Sequence, residues 1–142
     1  KGYGTFRFYG PARLAHRVAF ELTHGPIALG IEIDHLCHNR GCVRPDHLRP
    51  VTHKQNMENY AGAYASNRSS GIRGVYWHKQ HRKWFAAVCH NKKRITVGLF
   101  TDLAEAERAV IAKRLELFTH NEADRRKARP VLTNPTESET TE

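Results

Sequence analysis

The chain has 142 residues, enough for one domain or for two very small ones joined by a short connector. Hydrophobic residues make up 39% of it and the longest unbroken apolar run is the six residues 84–89, which excludes a membrane-spanning helix. Lysine and arginine number 23 against 14 acidic residues, and this formal charge of +9 favours a polyanionic partner.

The positive charge lies in the part of the chain that we expect to fold. All basic residues and all but three acidic residues precede residue 130, because Glu137, Glu139 and Glu142 stand in a C-terminal segment. Three cysteines are an odd number without the spacing of a disulfide scaffold, which indicates a reducing compartment. The sequence begins at Lys1 with no apolar leader, so we expect a trimmed start and an intracellular protein.

The first sixty residues have the pattern of a small mixed α and β unit. Alternating aromatic and polar residues predict a strand over residues 1–9, which Gly10-Pro11 ends. The next elements are expected in this order: a helix over 12–23, a buried strand over 31–36, a glycine-containing loop over 37–43, a helical turn starting at Pro45, and a helix from a Thr52 cap to Tyr60.

The rest of the chain predicts a connector, a sheet and a helix. Residues 61–70 are rich in Ala, Gly, Ser and Asn, so we place a linker and a domain boundary there. Three β-branched or aromatic runs then predict an antiparallel meander over residues 72–78, 83–90 and 94–100. Asp102 and Glu105 form a predicted capping pair for a helix that reaches about Phe118. Residues 121–142 are charged and then rich in Pro, Thr and Glu, which predicts a disordered tail.

Histidines cluster in the first half, where six of the ten lie between His16 and His53. Asp34 and His47 stand on two predicted elements joined by a short loop and can face one another. A divalent cation held by them would serve as a Lewis acid on a phosphodiester. His35 would point to the opposite face unless the strand bends at its end, and its imidazole is the natural base for an attacking water.

Residues 34–48, with Val51-Thr52 and Asn56, resemble the HNH endonucleases, a family with many phage and homing nucleases. The resemblance covers residues 1–60 and implies a ββα-metal fold with Mg²⁺ or Mn²⁺ as cofactor. It implies His35 as general base and Asp34 and His47 as metal ligands. Arg17 and Asn56 would contact phosphate or support the ligands. Arg44 stands where the family usually has the Asn that orients the base, and it could contact phosphate instead.

The two cysteines of the same stretch allow a second interpretation. Cys37 and Cys42 could form half of a structural zinc site with His38 or His47, since zinc takes mixed Cys and His ligands. The alternative is that both are packed free thiols.

The second half carries seven lysines and arginines between residues 71 and 100 and no acidic residue. Strand alternation would direct Val75, Trp77 and Trp84 toward the following helix and leave a cationic outer face. Such a sheet can lie in a duplex major groove. Residues 70–120 resemble the APETALA and ethylene-response-factor DNA-binding domain of plants, through residues 71–77, 83–88, 97–100 and 104–109. The expected DNA-binding residues are Arg73, Tyr76, His78, Lys83, Arg94 and Thr96.

The sequence therefore predicts an α+β chain with two modules. A small ββα-metal nuclease domain occupies residues 1–60, and residues 71–120 form a three-stranded antiparallel sheet packed on one helix. We predict a metal-dependent endonuclease that nicks or cuts double-stranded DNA in a bacterial or phage-infected cell, with no membrane partner. The alternatives are a non-catalytic DNA-binding regulator whose metal site is decayed or structural, and RNA as the ligand.

Overall fold

The α+β fold class predicted from the sequence is confirmed. The structure is a computed structural model and describes residues 2–7 and 9–129. It contains three small antiparallel sheets and four α-helices. Within the described residues, no helix is both long and apolar enough to cross a membrane.

The first half contains two small antiparallel sheets, and the second of them packs on a helix. Strand β1 (Thr5–Phe6) pairs with β2 (Arg13–Leu14), and helix α1 (Ala15–His24) follows directly. Strand β3 (Glu32–His35) pairs with β4 (Leu48–Val51), with a 3₁₀ turn at Pro45–His47 before β4. Phe20 of α1 packs against Ile33 and Leu48, and these three side chains form the core of this half.

Helix α2 (His53–Glu58) begins where the sequence predicts it. The Thr52 hydroxyl accepts from the Gln55 amide and the Gln55 side chain accepts from the Thr52 amide, so a capping box fixes the start. Strands β3 and β4 and helix α2 together give the predicted ββα order. The cap directs α2 back along this strand pair, which brings Asn56 beside Glu32 and Asn59 beside Asp34.

The predicted linker is ordered by side-chain hydrogen bonds. The Asn67 amide donates to the carbonyls of Ile72 and Val75, both at 2.7 Å, and the Ser69 hydroxyl accepts from the Trp77 amide at 3.2 Å. The connector therefore runs along the first strand of the second sheet in a defined conformation. Asn and Ser side chains favour such turns because they replace backbone partners locally.

The second half is a three-stranded meander that packs on one helix, as predicted. Strands β5 (Val75–His78), β6 (Lys83–His90) and β7 (Lys93–Phe100) pair in sequence order, and helix α3 (Leu103–Leu117) covers one face. Asp102 caps α3 by accepting from the Glu105 amide at 2.8 Å. The core of this half consists of Val75, Ala86, Val88, Ala106, Val110 and Phe118.

Two details of the sheet differ from simple alternation. The pairing of β6 with β7 shifts register between Ala86 and Ala87, and Ala87 is buried although alternation predicts it on the outer face. Trp77, which alternation directs toward α3, is 41% exposed and lies edge-on to Trp84, with ring centroids 5.0 Å apart. Gly74 has φ +83°, and a Cβ there would lie 2.5 Å from the carbonyl oxygen of Ala87, so glycine is required where β5 begins.

The C-terminal part of the described chain forms a helix that packs on α3. Residues 122–128 form helix α4 (Glu122–Ala128), whereas the sequence predicted a tail from residue 121. The Arg114 guanidinium binds the Asp124 carboxylate through two hydrogen bonds of 2.6 and 2.7 Å, and both side chains are buried. This pair fixes α4 against α3. The predicted disorder of residues 130–142 lies outside the described residues.

Arg73 joins the two halves. Its guanidinium donates to the backbone carbonyls of Met57, Glu58 and Tyr60 at the end of α2, at 2.7 to 3.0 Å. Burial lowers the pKa of Arg73, and the neighbouring Arg114 lowers it further. The sequence assigned Arg73 to DNA, but its side chain is committed to this junction, so that assignment is revised.

Candidate functional site

The end of β3 places Asp34 and His35 at one small cavity of about 240 Å³. Successive residues of a strand point to opposite faces, and Asp34 lies opposite Arg49 while His35 lies opposite Leu48. Both nevertheless line the cavity, because His35 is the last residue of the strand. His38, Asn56 and residues of the neighbouring loops complete the wall.

Asp34 is 7% exposed and has one oxygen committed to the protein. Its Oδ2 accepts from Arg49 Nε at 3.0 Å and from Asn59 Nδ2 at 2.8 Å. Both donors are held by α4: Arg49 also donates to Glu122 Oε1 at 3.2 Å, and Asn59 Oδ1 accepts from the Glu122 amide at 2.9 Å. This network orients the carboxylate, and Oδ1 is the atom that it can offer to a cation.

Asn56 supplies a second oxygen to the cavity. Its Nδ2 donates to Glu32 Oε2, so Oδ1 is the atom that it can offer to a ligand. Glu32 also accepts from His53 Nδ1 at 2.8 Å. The hydrogen bond from Asn56 and then that from His53 lower the pKa of Glu32, so this carboxylate stays ionised and holds the amide in place.

His35 is held in a defined tautomer. Its Nε2 lies 3.0 Å from the carbonyl oxygen of Cys42. A carbonyl can only accept, so Nε2 carries the proton of the neutral ring and Nδ1 keeps its lone pair. The ring packs against His16, with centroids 4.8 Å apart, and against Tyr3 at 6.0 Å.

The buried ring of His16 lies behind His35. It is 4% exposed, and burial, followed by the charges of His35 and Arg17, lowers its pKa to about 4. The ring therefore stays neutral at physiological pH. The position of His16 behind His35 therefore gives this ring a supporting role.

His38 is a further donor at the cavity. It adopts a left-handed backbone conformation with φ +58°, which is uncommon for a residue with a side chain. Its Nε2 is buried without a hydrogen-bond partner among the residues that the structure describes, and burial lowers its pKa. An unpartnered, neutral imidazole nitrogen at a cavity that also offers carboxylate and amide oxygens suits a divalent cation.

His47 belongs to a different cluster. Ligand atoms of Cys37, Cys42 and His47 all lie within 4.8 Å of one another, and His47 Nδ1 is 3.5 Å from Cys42 Sγ. The loop that carries them is closed by the Leu36 amide, which donates to the His47 carbonyl at 2.8 Å. Two thiols and one imidazole are typical zinc ligands. The geometry favours the zinc interpretation over packed thiols.

This arrangement bears on the predicted ligand pair. Asp34 lines the cavity beside His35, whereas His47 is not among the residues that line it and instead faces the thiols. The cation that the sequence predicts between Asp34 and His47 stays a prediction, and the structure offers Cys37 and Cys42 as other partners for His47. The sequence alone does not choose between these partners, because Cys37 and Cys42 lie between Asp34 and His47 in the chain.

Two arginines assigned to phosphate or support make other contacts. Arg44 is exposed and donates to Asp46 through two hydrogen bonds of 3.1 and 2.6 Å. Arg17 donates to the Ile31 carbonyl at 3.3 Å and fixes the segment before β3. Arg44 does not line the Asp34 cavity, so its presence in place of Asn leaves the cavity open.

The outer face of the second sheet carries the remaining predicted residues. The Arg94 guanidinium lies over the rings of Tyr76 and Phe85, 5.1 Å from each centroid. His78 pairs across the strands with Lys83 and packs on His81, and Thr96 is exposed. These side chains share one face, whereas Arg73 turns to the domain junction.

The supporting network around Asp34 was missed by the sequence analysis. Asn59 has a weak local signal, since it stands three residues after Asn56 and such residues are neighbours on a helix. Arg49 depends on the strand register, and Glu122 lies 73 residues away from it in the chain. No local pattern identifies either of them.

Comparisons with known proteins identify a family for part of the chain. Residues 13–58 match the family described as HNH endonuclease. The chain is similar to "Protein 7.7" of Escherichia phage T7, with 40% identity over 58 residues that cover 41% of this chain and 45% of the relative. It is also similar to "Uncharacterized gene 5.3 protein" of Enterobacteria phage T3, with 43% identity over 42 residues, or 30% of this chain and 42% of the relative.

These matches have defined limits. The chain spans less than half the length of either phage relative. No solved structure matches it. The family match ends at residue 58, so the plant DNA-binding domain that residues 70–120 resemble stays a prediction.

The cluster of Cys37, Cys42 and His47 predicts that the purified protein retains zinc and that retention depends on these two cysteines. Protein purified without chelators should carry about one zinc ion per chain by elemental analysis. The variants Cys37→Ser and Cys42→Ser should lose it, because each removes a thiolate ligand. Cys89→Ser is the matched control, since Cys89 is exposed on the second sheet. Equal zinc content in all four proteins would contradict the assignment.

Proposed function

From the HNH endonuclease domain at residues 13–58, we propose that the chain is a metal-dependent DNA endonuclease that hydrolyses phosphodiester bonds. The observation that carries this proposal is the cavity at the end of β3. There the imidazole of His35, tied through Nε2 to a backbone carbonyl, lies beside the oxygens of Asp34 and Asn56. A base and hard oxygen ligands at one cavity are what phosphodiester hydrolysis requires.

The donors around the cavity fit Mg²⁺ or Mn²⁺. These ions prefer carboxylate and amide oxygens and keep open positions for water and phosphate. Asp34 and Asn56 would hold the ion, and the unpartnered Nε2 of His38 is a third donor at the same cavity. When bound, the ion would supply a Lewis acid for the phosphodiester and for the departing 3′ oxygen.

The protein residues supply the base and its orientation. His35 Nδ1 accepts the proton of the attacking water, since Nε2 already donates to the Cys42 carbonyl. His16 packs behind the ring and stays neutral, so it adds no positive charge that would oppose protonation of His35. Arg40 also lines the cavity and adds positive charge near the position of the phosphate.

The DNA-targeting part of the proposal rests on charge and on exposed aromatic faces. The second sheet has seven basic residues and no acidic residue over residues 71–100. The Arg94 guanidinium lies over the rings of Tyr76 and Phe85 on the outer face. A cationic face favours contacts to phosphates of a duplex. Tyr76, His78, Lys83, Arg94 and Thr96 stay assigned to DNA.

The assigned base predicts a large loss of cleavage. The unmodified chain should nick supercoiled plasmid in Mg²⁺ or Mn²⁺, and His35→Ala should lower the rate by about 10²- to 10⁴-fold because general-base catalysis is removed. His24→Ala, at an exposed histidine stacked on Phe20, is the control and should retain activity. Equal nicking by His35→Ala would refute the base. DNA binding without cleavage in any divalent metal would favour the non-catalytic regulator.

The sheet predicts binding that weakens with salt. Arg94→Ala should reduce the slope of log affinity against log salt for duplex DNA by about 0.9, the value for one lost phosphate contact. Arg73→Ala should leave this slope unchanged and lower the unfolding temperature, since Arg73 binds backbone carbonyls. An unchanged slope in Arg94→Ala would contradict the proposed face. Preferential competition by structured RNA would reassign the ligand.

A further inference from the structure

A second, larger cleft lies where the two halves meet. Helix α2, the ordered connector and the β5–β6 part of the second sheet enclose a volume of about 680 Å³. This is within the range of about 300 to 1,000 Å³ that is typical of ligand sites. The described residues that line it do not include Asp34 or His35, so it is separate from the candidate catalytic cavity.

The wall of this cleft contains a buried carboxylate with one open acceptor. The Glu58 side chain is 5% exposed, and its Oε2 accepts from the Thr119 amide at 3.0 Å and hydroxyl at 3.1 Å. Its Oε1 is buried without a hydrogen-bond partner in the described part of the chain. Lys54 Nζ forms an ion pair with this oxygen at 3.6 Å, which is longer than a hydrogen bond, and His90 Nε2 lies 3.9 Å from it. A buried acceptor of this kind favours a ligand with an N–H donor.

Aromatic rings stand on two sides of the cleft. Tyr64, in the connector, is 51% exposed and stacks on Tyr60, with ring centroids 5.4 Å apart and planes 12° apart. Tyr76, on the sheet, is braced by Phe85 at 5.0 Å and by the Arg94 guanidinium. Rings that are held in place by neighbours can stack on a flat ligand at little cost in conformational entropy.

The charge of the cleft favours an anion at its edge. Glu58 is the sole carboxylate among the described lining residues, whereas Lys54, Arg68 and His90 bring basic groups. The same wall continues into the cationic outer face of the sheet through Tyr76. The cleft therefore suits a ligand that has a flat ring with an N–H donor and an attached phosphate. This ligand would be part of a polyanion that continues onto the outer face of the sheet.

We propose that this cleft binds one unstacked nucleotide of the DNA that the sheet engages. The base lies against Tyr64 or Tyr76, an amino or ring N–H group donates to Glu58 Oε1, and flanking phosphates contact Lys54 and Arg68. The assignment rests on the proposed function, because it requires DNA on the outer face of the sheet. It adds to that function a preference of the protein for DNA sites that are distorted or partly unpaired.

The test measures affinity for labelled duplexes by fluorescence anisotropy, with the full chain carrying His35→Ala so that the DNA stays intact. Three duplexes share one sequence: fully paired, with a single unpaired guanine, and with an abasic residue in place of that guanine. The unpaired guanine should bind about 10-fold more tightly than the abasic residue, since one stacked base is gained.

Two variants locate the effect in the cleft. Tyr64→Ala and Glu58→Gln should each bring the guanine-to-abasic ratio close to one and leave affinity for the paired duplex unchanged. Tyr9→Ala, at a tyrosine that is 95% exposed and not among the residues lining the cleft, should keep the ratio. Thermal unfolding of each variant checks that it is folded. Tyr64 is at the surface, so its variant tests the cleft even if Glu58→Gln unfolds.

The outcomes separate this proposal from the proposed function. Paired-duplex binding with equal affinity for guanine and abasic residues overturns the nucleotide cleft alone, as does an unchanged ratio in Tyr64→Ala. The absence of binding to any duplex overturns the DNA-binding function itself. Free dGMP binding as tightly as the unpaired guanine shows that the cleft takes a free nucleotide, and it overturns the assignment to DNA.

Discussion

The hydrogen bonds from Arg49 and Asn59 to a single oxygen of Asp34 are the constraint on which the candidate active site depends. They compensate the cost of burying a carboxylate and leave its other oxygen toward the cavity. Glu122 of α4 binds both donors, by its side chain and by its amide. The candidate site is therefore completed by a helix far along the chain, and the buried Arg114–Asp124 pair fixes that helix on the second half.

The loop between β3 and β4 separates two kinds of metal chemistry that the sequence interleaves. Asp34 and Asn56 offer hard oxygen donors, which suit a hydrated Mg²⁺ or Mn²⁺ ion and leave positions for substrate. Cys37, Cys42 and His47 offer soft donors, which suit zinc. The backbone carbonyl of Cys42 also holds His35, so a metal on the thiols would stabilise the loop that orients this imidazole.

Local signals predicted the elements, and long-range contacts decided the directions of the site residues. The caps at Thr52 and Asp102 depend on neighbours three residues away, so the sequence located both helices. His47 could have faced Asp34 or the thiols at the same spacing, and only the closed loop selects the thiols. Arg73 has the sequence context of a sheet cation, yet it binds carbonyls 13 to 16 residues earlier. The sequence predicted a charged tail at residues 122–128 because these residues show no apolar periodicity. The helix is held instead by the buried ion pair between Arg114 and Asp124.

The division of ligands between two sites is tested most directly by anomalous diffraction from crystals of the chain soaked in Mn²⁺. The account predicts an anomalous peak for manganese in the cavity beside Asp34 and Asn56. It predicts that His47 contacts no manganese and faces only the ion held by Cys37 and Cys42. A manganese ion that bridges Asp34 and His47, or an empty Asp34 cavity at saturating Mn²⁺, would contradict it.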